Sequence, residues 1–147
     1  MRVASYQAQV RNFAVIVSEP LAVGKGLLLM REDSLGGKTT EFKGKKIAVG
    51  LGVVWDKQVL PSGSIPVLVE DYRSGLIMLR SGRIAALMID NRNYGLLEEE
   101  FRQDLIVKEV VNLSGHLCLH NRNRGLIDHF DKAIKAWKAE RATGGGS

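Results

Sequence analysis

The feature that most constrains this 147-residue chain is a series of short runs rich in Val, Ile and Leu, several of them apolar at every position. FAVIV (13–17), GLLLM (26–30), KIAVG (46–50), IPVLV (65–69), IAALMI (84–89), LIVKEVV (105–111) and HLCLH (116–120) have the length of strands. A strand apolar on both faces needs cover on both, as in α/β sheets packed between helices. Segments of helical period stand where that cover is required. In YRSGLIMLRSG, Tyr72, Leu76 and Leu79 share one face, and Gly82 stands where a C-cap glycine belongs. NYGLLEEEF is a second helix candidate. In GLIDHFDKAIKAWKAER, Leu126, Ile127, Phe130, Ala133, Ile134 and Trp137 form one apolar stripe, with Asp128, Asp131, Lys132, Lys135 and Lys138 away from it. From KIAVG to LIVKEVV, strands and helices alternate. That order predicts right-handed crossovers and an α/β fold with an open, mostly parallel sheet flanked by helices.

Composition narrows the function classes. The net charge is +5, but the basic residues are scattered and form no nucleic-acid-binding arm, so no nucleic acid partner is expected. A lone cysteine, Cys118, excludes an internal disulfide framework. No run of apolar residues is long enough to span a membrane, and MRVASYQAQV lacks the apolar core of a signal peptide. The closing ATGGGS reads as a flexible linker.

In open α/β sheets, ligands gather outside the carboxyl ends of the strands. SGRIAALMID ends its apolar run on a carboxylate, Asp90, at that edge. Gly50, Leu51, Gly52 and Val53 follow KIAV at the same edge, where small residues let backbone N–H groups face an anion. An ammonium beside Asp90 and a carboxylate beside the glycine turn together describe an amino acid. Asp90 also suits the N-cap of a helix beginning near Asn91, and the two roles are compatible. GLG alone is no dinucleotide fingerprint. His116, Cys118 and His120 alternate along one strand, a spacing that offers ligands to zinc or copper. With Leu117 and Leu119 expected on the buried face, no metal site is assigned, and no cofactor is expected.

RNFAVIVSEPLAVGKGLLLMREDS, then FKGKKIAVGLG, then SGRIAALMID about thirty residues later, resemble the bacterial extracellular solute-binding proteins of family 3, the amino-acid-type periplasmic binding proteins of ABC importers. Arg11, the run Val17, Ser18, Glu19 and Pro20, then Arg31 and Ser34 occupy that family's hinge pattern. Phe42, Lys43, Gly44 and Lys45 match the run before the first strand of its second lobe. HLCLHNRNRGLIDHFDKAIKAWKAE is similar to its closing strand, basic turn and helix. The resemblance implies a type II periplasmic-binding-protein-like fold with one lobe nearly complete. It further implies that Arg11 pairs with a ligand carboxylate, for which a guanidinium fork is suited, and that Asp90 receives the ligand ammonium. Where the family carries Thr after the glycine turn, this chain has Val53, which lacks the hydroxyl. Trp55 is a candidate aromatic wall.

The resemblance also implies an organisation. Residues 1–21 read as hinge and a remnant of lobe one, 22–108 as the second lobe, 109–140 as the return hinge with a lobe-one strand and helix, and 141–147 as a tail. The portion of lobe one before the hinge has no counterpart. Large side chains on the last helix are then expected to lack cover, each worth about 1.5–3 kcal/mol when buried. Self-association into a homo-oligomer, by exchange of these segments, or a companion chain would supply it. The function implied is the substrate-binding component of an importer, with a small polar ligand such as an amino acid, ABC transporter membrane subunits as partners, and a periplasmic full-length parent. An enzyme is not expected. The alternatives are a cyclohexadienyl-dehydratase-like enzyme, for which no spare Glu or Lys stands around the turn and Asp90 beyond Lys57, and a single-lobe scaffold without ligand.

Overall fold

A computed structural model of the chain describes residues 2–3, 14–17, 19–32 and 42–144. They divide into two compact units, Gly24–Asn112 and a second built from Met1–Val23 with Leu113–Ser147.

The Gly24–Asn112 unit is formed around a mixed sheet. Its strands are β3 (Ala22–Arg31), β4 (Lys46–Gly50), β5 (Ile65–Val69), β6 (Ala86–Asp90) and β7 (Leu105–Gly115). They stand in the order β7-β3-β6-β4-β5, with a two-residue strand β1 (Arg2–Val3) outside β7 in the sheet order. β4 pairs in parallel with both β5 and β6, as the alternation of strands and helices predicts. β3 instead runs antiparallel to β6, with Gly26 opposite Asp90 and Met30 opposite Ala86. Strand composition alone does not fix that direction, because an apolar run reads the same both ways.

Helices α1 (Trp55–Gln58), α2 (Tyr72–Arg80), α3 (Asn91–Leu96) and α4 (Glu99–Arg102) complete the unit. Side chains alternate between the faces of the strands, so the core has two halves. Leu27, Leu29, Ala48, Leu87 and Ile89 pack with Leu76 and Leu79 of α2, joined by Tyr72, Tyr94 and Phe101. Leu28, Met30, Ile47, Val49, Ala86 and Met88 form the other half, joined by Trp55, Val59, Leu60 and Val110. This double cover is what the continuous apolar runs demand.

The face of α2 predicted from sequence is observed, since Leu76 and Leu79 are fully buried. Its start is capped by Asp71, which accepts from the Ser74 N–H at 2.8 Å. Its end closes on Gly82 at φ +72°, where the N–H groups of Gly82 and Arg83 donate to the carbonyls of Leu79 and Met78. That is the paired bonding of a Schellman cap. NYGLLEEEF is not one helix. It divides into α3 and α4 because Leu97 and Glu98 take extended ψ values of 141° and 143°.

The second unit pairs β2 (Ala14–Ile16) with β8 (Cys118–His120), antiparallel, with Val15 opposite Leu119. A 3-10 turn, Asn121–Leu126, leads into α5 (Ile127–Thr143). Glu19 is fastened to α5 twice: its N–H donates to Asp131 Oδ1 at 2.7 Å, and its carboxylate accepts from Lys138 Nζ at 2.9 Å. Of the stripe on this helix, Ile134 is buried, whereas Leu126 and Trp137 remain 47% and 42% exposed. Among the described residues no helix is long and apolar enough to cross a membrane.

Candidate functional site

The rim of the sheet at the carboxyl ends of β4 and β6 carries both the Gly50–Val53 turn and Asp90. These strands are parallel neighbours, with Ile47 opposite Ala86 and Ala48 opposite Leu87, so Gly50 and Asp90 finish at one edge. By strand alternation the Asp90 side chain leaves on the face of Ala86 and Met88. The turn after Gly50 leads into α1 on that same face, where Trp55 packs.

The turn owes its shape to its own hydrogen bonds. The Val53 N–H donates to the Gly50 carbonyl at 3.2 Å, and Gly52 sits at φ +79°, the glycine position of a type II turn. The Leu51 N–H donates to the Val69 carbonyl at 2.8 Å, and the Gly50 N–H donates to Asp56 Oδ2 at 2.8 Å. The expectation that Gly50, Leu51, Gly52 and Val53 all present amides therefore narrows to one. Among the described residues only the Gly52 N–H of these four has no internal acceptor. Gly50 and Val53 fix the turn instead.

Asp56 is the residue that sequence reading missed. It is 1% exposed, and its other oxygen accepts from the Lys57 N–H at 2.7 Å. Burial pushes its carboxyl above the ordinary value, while the N–H groups of Gly50 and Lys57 pull it back. A four-residue helix carries too little periodicity to mark such a residue in advance.

Asp90 caps α3. Its Oδ1 accepts from the Asn93 N–H at 2.9 Å, and its Oδ2 accepts from Asn93 Nδ2 at 2.5 Å. Each carboxylate oxygen can accept more than one bond, so capping leaves Asp90 acceptor capacity toward the rim. Asn91 accepts from the Lys25 N–H at 2.9 Å, tying the start of α3 to β3.

Two aromatic residues border the rim. Gly26, opposite Asp90, has no side chain, and the ring of Trp55 fills the space: a Cβ there would lie 2.4 Å from Trp55 Cζ3 and 2.6 Å from Val111 Cγ1. Gly26→Ala is expected to lower stability by about 1–3 kcal/mol, because both the Trp55 ring and the Val111 methyl would have to move. Urea denaturation, with Trp fluorescence as the probe, measures both the loss and the displaced indole.

Tyr72 reaches the rim from the other side. Its hydroxyl lies 3.6 Å from where a Cβ on Gly50 would stand, a point that Val53 Cγ2 also approaches, at 2.6 Å. Burial, with the charges of Asp90 and Asp56, raises its phenol to about 12. The chain has three tyrosines. An ultraviolet titration is expected to show one phenol ionising near pH 12, and Tyr72→Phe is expected to remove that step.

Arg11 lies outside the described residues, so no geometry joins it to Asp90. His116 is committed by both ring nitrogens, at 2.9 Å from the Val17 carbonyl oxygen and 3.1 Å from Ser114 Oγ. His120 Nδ1 accepts from the Arg122 N–H at 3.2 Å. Among the described residues no group of His, Cys, Asp and Glu is placed to hold a metal.

No family model and no curated protein matches the chain. Solved structures do. The ligand-binding core of GluR0 in complex with L-glutamate superposes with a TM-score of 0.73 at 13% identity, over 95% of this chain and 64% of that one. An amino acid ABC transporter substrate-binding protein, AbpA from Streptococcus pneumoniae, bound to L-arginine, gives 0.66 at 18% identity, over 93% and 60%. The ancestral amino-acid-binding protein AncCDT-1, a precursor of cyclohexadienyl dehydratase, gives 0.65 at 17% identity, over 95% and 60%. The chain thus spans about three-fifths of the length of these structures. At such identities the likeness is one of architecture, and the chain has the α/β fold of the type II periplasmic binding proteins.

Proposed function

We propose that the chain is a substrate-binding component, or part of one, for amino acids or similar small polar solutes delivered to an ABC importer. The observation that carries this reading is the shared rim: Asp90 and the Gly50–Val53 turn finish side by side on neighbouring parallel strands. A ligand ammonium is assigned to Asp90, and a ligand carboxylate to the Gly52 N–H with Arg11. Such charge-assisted bonds are stronger than neutral ones. Proteins of this architecture that bind L-glutamate and L-arginine support the ligand class. ABC membrane subunits as partners and a periplasmic setting for the full-length parent belong to the same reading.

A binding role is favoured over elimination chemistry. Elimination needs a general acid within reach of substrate. The rim carboxyl with a raised proton affinity is Asp56, which is buried and bonded to two N–H groups, away from any solute. The open stripe of α5 supports self-association, by exchange of the segments 1–20 and 110–140. Light scattering that finds a compact monomer at micromolar concentration removes that part of the proposal.

A thermal-shift screen of the twenty L-amino acids tests the function. A saturable rise in melting temperature with at least one of them is expected. No shift with any, confirmed by calorimetry, overturns the reading.

A further inference from the structure

The chemistry of the rim leaves one donor unexplained. Val53 has no hydroxyl, its N–H is used within the turn, and the N–H groups of Gly50 and Leu51 are used as well. A carboxylate arriving here would meet the Gly52 N–H and little else from the turn. The Tyr72 hydroxyl reaches this part of the rim, 3.6 Å from where a Cβ on Gly50 would stand. Among the described residues it has no hydrogen-bond partner, although a half-buried phenol usually has one. The ring beneath it is held by the core half built on Leu76, Leu79 and Leu87, and the backbone there by the first turn of α2, so the hydroxyl is positioned in advance.

Resting on the amino-acid-binding reading above, we propose that the Tyr72 hydroxyl is the second donor of the rim, placing and selecting the ligand's carboxylate from beside Gly50 where a hydroxyl on residue 53 would otherwise act. The pair of donors, Tyr72 O–H and Gly52 N–H, then faces the acceptor of the ligand, and Asp90 faces its cation. Because burial, with the charges of Asp90 and Asp56, opposes ionisation of the phenol, it stays a donor throughout the neutral range. Ligands that lack the carboxylate, such as the amides and decarboxylated amines of the same amino acids, gain nothing from this group.

The test is calorimetric titration of the twenty L-amino acids, and of the amine of whichever binds most tightly, into four proteins: the parent chain, Tyr72→Phe, Val53→Thr, and the double variant. Tyr72→Phe keeps the ring and the core contacts. It is expected to weaken the amino acid about 10-fold while leaving the amine unchanged, the worth of one hydrogen bond to a charged acceptor. Val53→Thr places a hydroxyl beside the same Gly50 and is expected to restore binding in the double variant while adding little to the parent chain, whereas a merely structural role of Tyr72 would give equal gains in both backgrounds. If the parent chain binds and Tyr72→Phe binds equally, or its loss is not restored by Val53→Thr, the role of Tyr72 is overturned and the amino-acid reading stands. If the parent chain binds no amino acid, the reading itself fails, and this proposal with it.

Discussion

Asp90→Asn is expected to leave the fold almost as stable as the parent chain and to weaken amino-acid binding roughly 10- to 100-fold, the range for losing a charged partner in a hydrogen bond. Asn and Asp are equivalent N-caps, so the bond from the Asn93 N–H to position 90 survives the change. What is lost is the negative charge, and with it the attraction for an ammonium. Asp90→Ala removes cap and charge together, adding about 1 kcal/mol of lost stability. Comparing the two variants by calorimetry and urea denaturation separates the two duties of one carboxylate. Equal ligand affinity in parent and Asp90→Asn would leave Asp90 as a cap only.

Asp56→Ala acts on the turn. It leaves the buried Gly50 N–H without an acceptor, which costs about 1–3 kcal/mol, and it frees the turn to move, so affinity falls along with stability. The pH dependence of this residue has a definite sign. Its folded carboxyl binds a proton more tightly than the unfolded one, because burial raises it above the ordinary 3.8. The contribution of that proton affinity is fully present below the unfolded value and is lost as pH rises through the raised folded value. Acidification from neutrality toward 3.8 should therefore widen the stability gap between the parent chain and Asp56→Asn in favour of the parent. A gap that narrows over that range would show that the N–H groups of Gly50 and Lys57 outweigh burial.

Much of this architecture is legible in the amino-acid order because burial on both faces leaves a plain mark. IAALMI and, after its Lys46, KIAVG are apolar and become buried parallel strands, whereas the equally apolar IPVLV becomes an edge strand with Ile65 and Leu68 exposed. α2 announces its face with Leu76 and Leu79 and its end with Gly82. The division of NYGLLEEEF is less visible, since no Pro or Gly stands at Leu97 or Glu98 to mark it. Asp90 can be found because it ends a strand. Asp56 and Tyr72 cannot, because what they do depends on which elements fold against them. Tyr72 reads as one more core residue, and its ring is packed against the core; only the hydroxyl at its far end reaches the rim. Asp56 reads as a surface acid in a short polar stretch, yet the turn closes over it. The open amides expected at Gly50 and Val53 are consumed by turn bonds that residue type alone does not specify. Arg11 is carried by resemblance alone.

We propose that a small zwitterion lodges on the rim shared by Gly52 and Asp90. The direct measurement follows the amide resonances of isotopically labelled protein during titration with the amino acid that gives the largest thermal shift. Saturable movement of Gly52, Val53, Asn91 and Asn93 is expected, with Glu32, Arg80 and Gln103 at the opposite end of the sheet unmoved. Movement centred on that opposite end, with Gly52 and Asn91 still, would contradict it.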